Sequence, residues 1–167
     1  DNRFLVKSVI PWREMSATRK QKTYEGPISV IKSGKGFFDL PSDNGKSEES
    51  LFISGDNLGH AFHQDIVEVE EINSEGKRGR EGRVVRIVSR TRKQYVGTFF
   101  ENDRREVLFG PDHKRMYVPF RVSGRDLPVG FKALVTFTGW EEKEEYPRGQ
   151  LEELIGKAGV HETEMRA

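Results

Sequence analysis

Residues 66–72 read Ile-Val-Glu-Val-Glu-Glu-Ile, and this short stretch decides the fold class. Val67 and Val69 alternate with Glu68 and Glu70, which is the two-residue period of a β-strand with one buried face. A helix would need apolar residues at every third or fourth position, and the chain has almost no long run of that kind. Val67 and Val69 are therefore predicted to face a core.

Nine other short apolar runs also fit strands, because Gly, Asn, Asp and Pro separate them. Ser33-Gly34 and the polar loop at residues 41–46 are two of these predicted turns. Many short strands at regular spacing are typical of a barrel or a sandwich. The ten predicted strands are Tyr24–Ile31, Gly36–Leu40, Ser50–Ile53, Ile66–Ile72, Gly82–Val88, Gln94–Glu101, Arg105–Phe109, Arg115–Val122, Lys132–Phe137 and Gln150–Ile155.

The ten strands divide into two sets of five that look like one repeated unit. Tyr24-Glu25-Gly26 opens the first set and Tyr95-Val96-Gly97 opens the second, and a similar Gly-apolar pattern closes each at residues 82–88 and 149–155. Agreement at both ends favours a duplication. Leu151, Leu154 and Ile155 alone would fit a helical stripe equally well, so only the repeat favours a strand there.

A Gly-punctuated unit of five strands fits the small Greek-key barrel called the OB fold, which binds oligonucleotides on one face. The sequence therefore predicts an all-β chain of two tandem five-stranded OB barrels. Residues 24–89 would form the first barrel and residues 90–157 the second. Residues 1–23 are predicted to be a basic N-terminal arm.

The composition excludes several kinds of site. The 167 residues include no Cys, so the chain has no disulfide, no thiolate zinc site and no thiol nucleophile. The four His are not spaced as a metal-ligand cluster, and no Ser/His/Asp motif is present, so no catalytic or metal residue is predicted. No apolar run approaches the ~20 residues that cross a bilayer. We therefore expect a soluble, cytoplasmic chain. Because the chain starts with Asp1, we also expect it to be a fragment or a processed product.

The overall charge is almost balanced, with 28 Lys or Arg against 27 Asp or Glu, but it is divided into blocks. Residues 24–72, the acidic block, carry 3 basic and 10 acidic side chains. Residues 73–94, the basic block, carry 8 basic and 2 acidic side chains. A basic stretch raises the local potential and suits contact with phosphates.

Within the basic block, Arg78 and Arg80 are candidate contacts to a nucleic-acid backbone, with a solvated loop as the equal alternative. Arg83 and Arg86 fall on opposite phases of the predicted strand. No single face is therefore expected to collect all of the basic side chains.

The sharpest local feature joins Lys35-Gly36-Phe37-Phe38 with Leu51-Phe52-Ile53. If these two strands are neighbours, Phe37 and Phe52 can share a face on which the bases of a single-stranded nucleic acid stack. Lys32 and Lys35 would then lie beside the phosphates. Alternation places Phe37 and Phe38 on opposite faces, so one of them is expected in the core. The alternative is that all of these rings are ordinary core residues.

Lys35-Gly36-Phe37 and Leu51-Phe52-Ile53 resemble the two RNA-binding strand motifs of cold-shock domains. The resemblance extends through residues 57–69, 79–85 and 95–99 to the amino-terminal region of the ribonuclease R / ribonuclease II family. The closing stretch matches as well, at Trp140, Pro147, Gly149, Leu154, Ile155, Gly156 and Gly159. In that family two cold-shock barrels precede a catalytic domain that degrades RNA from the 3′ end. By this resemblance, residues 158–167 would begin the linker to the catalytic domain.

The resemblance implies a module that binds single-stranded RNA and feeds it to the catalytic domain of a 3′→5′ exoribonuclease, which is a hydrolase. The catalytic domain and its Mg²⁺ are expected to lie outside this chain, so the chain alone should need no cofactor and should not cleave RNA. Its expected partners are single-stranded RNA and that catalytic domain, with no membrane, and the chain is expected to be a monomer. The alternative is an architectural or protein-docking module with little affinity for RNA.

The chain departs from the family pattern in each barrel. Asp39 stands where cold-shock motifs carry a second aromatic residue, so one stacking position is lost or replaced by a carboxylate that repels phosphate. In the second barrel the aromatic pair is missing, and Arg121 stands where a Phe is expected. Its guanidinium can still stack or bind phosphate. The second barrel is therefore predicted to hold the RNA backbone rather than bases, or to act as a lid.

Overall fold

The computed structural model describes residues 22–42 and 49–159, in which strands form two curled sheets and no α-helix occurs. This confirms the predicted all-β chain of two OB barrels. The described residues contain no helix long and apolar enough to cross a membrane. One 3-10 turn, η1, covers Gly55–Asn57. The strands are β1 (Thr23–Pro27), β2 (Ser29–Val30), β3 (Gly36–Asp39), β4 (Ser50–Ile53), β5 (Ile66–Gly76), β6 (Gly79–Ser89), β7 (Gln94–Glu101), β8 (Val107–Pro111), β9 (Arg121–Val122), β10 (Phe131–Gly139) and β11 (Arg148–Lys157).

The first sheet has the strand order β1-β5-β6-β4-β3-β2 and is closed by a bent segment of chain. Only Ile28 separates β1 from β2, so β1 pairs with β5 while β2 pairs with β3 at the other end of the sheet. The amide of Ile28 at the bend donates to the carbonyl oxygen of Asp65 at 3.0 Å. The prediction of a single strand at Tyr24–Ile31 is therefore wrong, because closure of the barrel divides this segment into two strands.

The second sheet has the order β8-β7-β10-β11-β9, and a two-way bridge between Phe109 and Phe120 brings its edges together. Its connections repeat those of the first sheet. In both sheets the last strand pairs in parallel with a shorter, earlier strand, β6 with β4 and β11 with β9. The duplication seen in the sequence therefore corresponds to two barrels of one topology.

Two predicted strand assignments in the second barrel change, and a third is confirmed. Arg105 lies in a turn at φ 61°, so β8 begins at Val107 rather than at Arg105. The segment Arg115–Val122 is a strand only at Arg121–Val122, since a turn from His113 and the missing N–H of Pro119 prevent a continuous ladder. Residues 150–155 lie within β11, so the helical alternative is wrong.

The first barrel has its own apolar core, and both Val67 and Val69 are fully buried in it as predicted. The strand period explains this, because the alternate positions Glu68 and Glu70 face outward from β5. The other buried members are Ile28, Val30, Phe38, Leu40, Leu51, Ile53, Leu58, Ala61 and Val84.

The second barrel is completed by a residue of the first. Phe62 follows η1 and precedes β5, yet its ring is 1% exposed and packs in the second core. It stacks on Phe120 at 5.9 Å between centroids and meets Phe137 edge-on at 5.3 Å. The two barrels therefore share a buried surface and are not joined by a linker alone.

Polar and aromatic contacts surround this shared core. The His60 ring stacks on Trp140 at 3.7 Å with an interplanar angle of 4°. The Tyr117 hydroxyl donates to the carbonyl oxygen of Ala61 at 2.8 Å. Arg90 forms an ion pair with buried Asp65 at 2.8 Å, and its guanidinium lies over the rings of Phe62 and Phe137. These contacts fix the orientation of one barrel relative to the other.

Stability is predicted to fall in mild acid because of two histidines at this junction. His63 accepts a hydrogen bond from the amide of Val30 at its Nδ1, and its ring lies 6.1 Å from that of His113. Burial lowers the pKa of His63 below the usual 6.5, with further lowering by Arg115 and His113. Burial likewise lowers the pKa of His113, helped by Arg92 and Arg115.

Each imidazole thus binds a proton less readily in the folded chain than in the unfolded chain. Its contribution to stability is present above about pH 6.5 and is lost as the pH falls through the lowered value. We expect a lower urea midpoint at pH 5 than at pH 7.5, and a smaller difference in a His63→Asn/His113→Asn variant, whose amide oxygens can still accept. An equal pH dependence in the variant would contradict this origin.

Candidate nucleic-acid interface

Two aromatic side chains lie side by side on the outer face of the first barrel. Phe37 of β3 is directly opposite Phe52 of β4, and their rings are 5.7 Å apart between centroids at an angle of 59°. Phe37 is 37% exposed, whereas its neighbour Phe38 is 2% exposed and belongs to the core. Strand alternation thus separates the two adjacent Phe rings, and the sequence-based expectation for this doublet is confirmed.

Gly36 explains why β3 can present Phe37 in this way. A Cβ at this position would lie 3.0 Å from the Leu58 side chain and 3.2 Å from that of Ile28. A side chain on Gly36 would therefore press on the core and push β3 outward. The glycine of the motif is a packing requirement of the strand that carries Phe37.

Arg78 adds a third flat group to this surface. It lies at the tip of the hairpin between β5 and β6, and its guanidinium is 5.0 Å from the centre of the Phe52 ring. A guanidinium plane can stack on an aromatic ring and also carries a charge for phosphate. We call Phe37, Phe52 and Arg78 the aromatic platform.

Asp39 lies on the same side of the sheet as the aromatic platform. It is exposed and pairs in register with Ser50, two residues along the strand from the Phe37–Phe52 pair. The position where a second aromatic residue was expected therefore carries a carboxylate. The aromatic rings on this face of β3 and β4 are therefore those of Phe37 and Phe52.

Lys32 and Lys35 lie in the turn that leads into β3. The amide of Gly34 donates to the carbonyl oxygen of Ile31 at 2.9 Å, and Gly34 has φ 84°, a left-handed conformation that glycine adopts without strain. Neither lysine, nor Arg78, has a carboxylate partner among residues 22–42 and 49–159. Their charges remain available for an anionic ligand.

Arg80 lies in a different environment from Arg78, although only one residue separates them. Its Nε donates to Glu71 at 2.6 Å, and it also bonds Glu49. The hydrogen bond from Arg80 lowers the pKa of Glu71 below its usual value. The charge of Arg80 is therefore balanced within the fold, and a contact with RNA would have to displace these partners.

Four of the eight basic side chains of the basic block pair with carboxylates of the acidic block, three of them across the β5–β6 pairing. Arg83 is paired with Glu70, and Arg86 lies 3.1 Å from Glu68. Val85 is an extra residue in β6, because Val84 pairs with Val69 while Arg86 pairs with Glu68. This bulge corrects the prediction that Arg83 and Arg86 point to opposite faces, since it returns both to the side of Glu68 and Glu70.

Arg121 belongs to the second sheet, in β9. Its guanidinium lies 2.5 Å from Glu106 and 5.4 Å from the centre of the Tyr146 ring. The residue is exposed, but its charge has a carboxylate partner. The structure therefore groups Phe37, Phe52, Arg78, Lys35 and Lys32 on the first barrel, while Arg80 is tied to carboxylates and Arg121 lies on the second barrel.

One exposed aromatic residue was missed in the sequence. Phe100 of β7 is 38% exposed, while Phe99 beside it is fully buried. The signal was available, because two adjacent Phe in a strand must place one ring on each face. In the described part of the chain, no group of three or more His, Asp or Glu is placed to hold a metal ion.

Comparison with known proteins gives matches to both barrels. Residues 26–87 match the family model described as the ribonuclease B OB domain, and residues 108–167 match that of the Dis3-like cold-shock domain 2. The chain is 30% identical to ribonuclease R of Acidithiobacillus ferrooxidans over 138 residues, which are 79% of this chain and 30% of that protein. It is 26% identical to the exosome complex exonuclease RRP44 of Homo sapiens, covering 75% of this chain and 17% of that protein.

Solved structures show the same fold. Ribonuclease R of Mycoplasma genitalium, in its apo form, superposes with a TM-score of 0.69 at 18% identity, covering 86% of this chain and 23% of that one. Yeast Ssd1, a pseudonuclease, superposes with a TM-score of 0.67 at 15% identity, covering 94% of this chain and 25% of that one. The chain thus spans less than a third of the length of each of these relatives.

Proposed function

Because the chain belongs to the tandem OB-fold, cold-shock region of the ribonuclease R / ribonuclease II family, we propose that it binds single-stranded RNA. In the parent protein it would pass this RNA to the catalytic domain of a 3′→5′ exoribonuclease that uses Mg²⁺. Among relatives of the same fold, ribonuclease R of Mycoplasma genitalium has been solved in complex with ribose-methylated single-stranded RNA. The observation that carries the proposal is the aromatic platform together with Lys32 and Lys35, cations that have no carboxylate partner among the described residues.

The chemistry of the aromatic platform suits an unpaired strand. Every base offers a π-face, so the exposed Phe37 ring can accept a base without regard to sequence. Arg78 and Lys35 supply positive charge that nearby carboxylates do not cancel. The ion-paired face of β5 and β6 lacks this property, because Arg83 and Arg86 are already paired there with Glu70 and Glu68. RNA is therefore directed to the β3–β4 face rather than to the basic block as a whole.

The binding affinity is expected to fall steeply with salt and with loss of the Phe37 ring. For single strands, log K falls against log [salt] with a slope of roughly −0.7 per neutralised phosphate. Three cations, Lys32, Lys35 and Arg78, predict a slope of about −2. Phe37→Ala should cost roughly 1–3 kcal/mol of binding, which is one stacked base. Fluorescence anisotropy with a labelled oligouridylate, between low and moderate salt, measures both quantities.

Two matched variants test where the RNA lies. Leu154→Ala removes an exposed apolar side chain from β11 of the second barrel and should leave the affinity unchanged. Asp39→Asn removes a negative charge beside the platform and should bind at least as tightly as the original chain. The proposal would be contradicted by an affinity that does not change with salt concentration, or by a Phe37→Ala variant that binds RNA as tightly as the original chain.

The docking alternative has one structural feature in its favour. Val85 and Val88 are exposed on β6, near a cleft lined by Ile87 and Trp140, and this apolar surface could pack on the catalytic domain of the parent protein. A chain with only this role would show no RNA binding at low micromolar concentration. The chain alone should not hydrolyse RNA, and processive shortening of a labelled strand in Mg²⁺ would refute this part of the proposal.

A further inference from the structure

A groove beside the turn that leads into β3 has the features of a second nucleotide site. It has a volume of about 440 Å³ and runs between the turn before β3 and the second barrel. We infer that this groove holds a base from the same RNA strand, stacked on Phe100, with Lys32 on the adjoining phosphate. The inference rests on the proposed function and extends it to the second barrel. Among the lining residues are Lys32, Phe100, Pro111, Met116, Tyr117 and Pro119.

Phe100 gives the groove a fixed, flat surface. The residue is in register with Leu108 across the β7–β8 pairing, and its ring lies against Gly110, at 3.3 Å from the point where a Cβ would stand. A side chain at position 110 would occupy the space that the ring uses. The Phe100 ring is therefore held against the sheet while 38% of the residue remains exposed. Such a ring offers one face to a planar ligand.

Lys32 links the groove to the aromatic platform. It is exposed, and no carboxylate in the described part of the chain pairs with it. It shares a five-residue turn with Lys35, which leads directly into β3 and Phe37. A strand whose base lies on Phe37 would therefore meet Lys35 and then Lys32 before it reaches Phe100. Charge and position thus favour the phosphate backbone as the occupant of this edge.

The junction between the barrels keeps this geometry rigid. The Tyr117 ring packs under the turn, at 3.5 Å from where a Cβ on Gly34 would stand. The Tyr117 hydroxyl is already committed to the carbonyl oxygen of Ala61. The groove therefore stays aligned with the turn, and the hydroxyl is not free to read the edge of a base. Binding there should tolerate any base, as stacking does.

The size of the groove also suits a base. Its volume falls within the ~300–1,000 Å³ typical of small-ligand pockets, and its walls are mainly apolar and ring-shaped. A groove with apolar walls and one cation at its rim matches a nucleotide, which has a flat base and one negative charge. An acidic peptide would need further unpaired cations, and Lys32 is the one cation among the lining residues.

The test compares RNAs that reach one site or both. OB folds cover about 4–16 nucleotides, so oligouridylates of about 4 and about 12 nucleotides should separate the platform from the groove. Phe100→Ala should weaken binding of the longer RNA by at least ~5-fold and leave the shorter RNA unchanged. Phe100→Trp should restore the affinity, and Leu154→Ala should not change it. Thermal unfolding of each variant confirms that it is folded.

Crosslinking locates the base directly. In a long RNA with 5-iodouridine at successive positions, light should join one position to the Phe100 or Met116 peptide and another to the Phe37 peptide. The groove is not a second site if the Phe100→Ala variant binds both RNAs like the original chain, or if it binds both more weakly by the same factor. The platform proposal still stands in that case, provided that the Phe37→Ala variant binds RNA more weakly than the original chain. If the original chain binds neither RNA, both proposals fail.

Discussion

Phe62→Ala is expected to lower the free energy of unfolding by about 3–5 kcal/mol, which is the usual cost of removing a buried Phe ring. Phe62 is 1% exposed, and its ring touches those of Tyr95, Phe120, Phe137 and Trp140. The ring projects into the second core, so its removal opens a cavity there. The loss should therefore fall mainly on the second barrel.

Urea unfolding followed by circular dichroism measures the size of this loss. Hydrogen exchange adds its location, since amides of β7, β10 and β11 should exchange faster while those of β3 and β5 change less. Phe37→Ala is the matched control, because it removes the same ring from an exposed position and should cost far less stability. Equal losses in the two variants would show that Phe62 does not support the second barrel.

The consequence of Phe62→Ala for function differs between the two candidate RNA sites. The aromatic platform lies wholly within the first barrel, on β3, β4 and the β5–β6 hairpin. The groove at Phe100 depends on how the barrels are held together. A folded Phe62→Ala chain should therefore bind the shorter oligouridylate as tightly as the original chain does. It should lose the additional affinity that the original chain has for the longer one.

Arg90→Met is expected to destabilise the chain by about 3–5 kcal/mol at neutral pH, because it leaves the Asp65 carboxylate buried without its cation. Asp65 is 1% exposed and also accepts a hydrogen bond from the amide of Phe62 at 2.8 Å. Burial raises the pKa of Asp65 above its usual value, against the lowering effects of the Phe62 amide and Arg90. Methionine keeps much of the apolar stem that packs between Phe62 and Phe137.

The loss caused by Arg90→Met should shrink as the pH falls. Without Arg90 the pKa of Asp65 rises further, so in mild acid the carboxyl becomes neutral and its burial costs less. The titration of His63 and His113 occurs in both proteins and largely cancels in the difference between them. Urea midpoints of the variant and the original chain at pH 5 and pH 7.5 measure this effect.

The matched control for Arg90→Met is Arg86→Met. Arg86 is also paired with carboxylates, but its side chain is 57% exposed, and exposed pairs contribute about 0–1 kcal/mol. A similar loss in both variants, or an Arg90→Met loss that does not change with pH, would mean that the Asp65–Arg90 pair does not hold the junction.

The sequence was informative wherever a local period decides the outcome. Side chains on a strand alternate between faces whatever the strand pairs with, so Val67 and Val69 could be assigned to the core and Phe37 separated from Phe38. The same rule applied to Phe99 and Phe100 would have found the exposed ring of the second barrel. The two sets of strands were also visible, because each barrel repeats the same glycine and apolar positions.

The tertiary structure decided what depends on register between distant strands. The basic block suggested a broad surface for phosphate, yet Arg80, Arg83 and Arg86 meet Glu71, Glu70 and Glu68 across β5 and β6. The bulge at Val85 changes the face on which Arg86 lies, and no local sequence pattern predicts this bulge. Phe62 completes the core of the neighbouring barrel for the same reason, since a contact between barrels has no sequence period. Strand period thus fixed the faces, while long-range pairing determined which charges and rings remain available to a ligand.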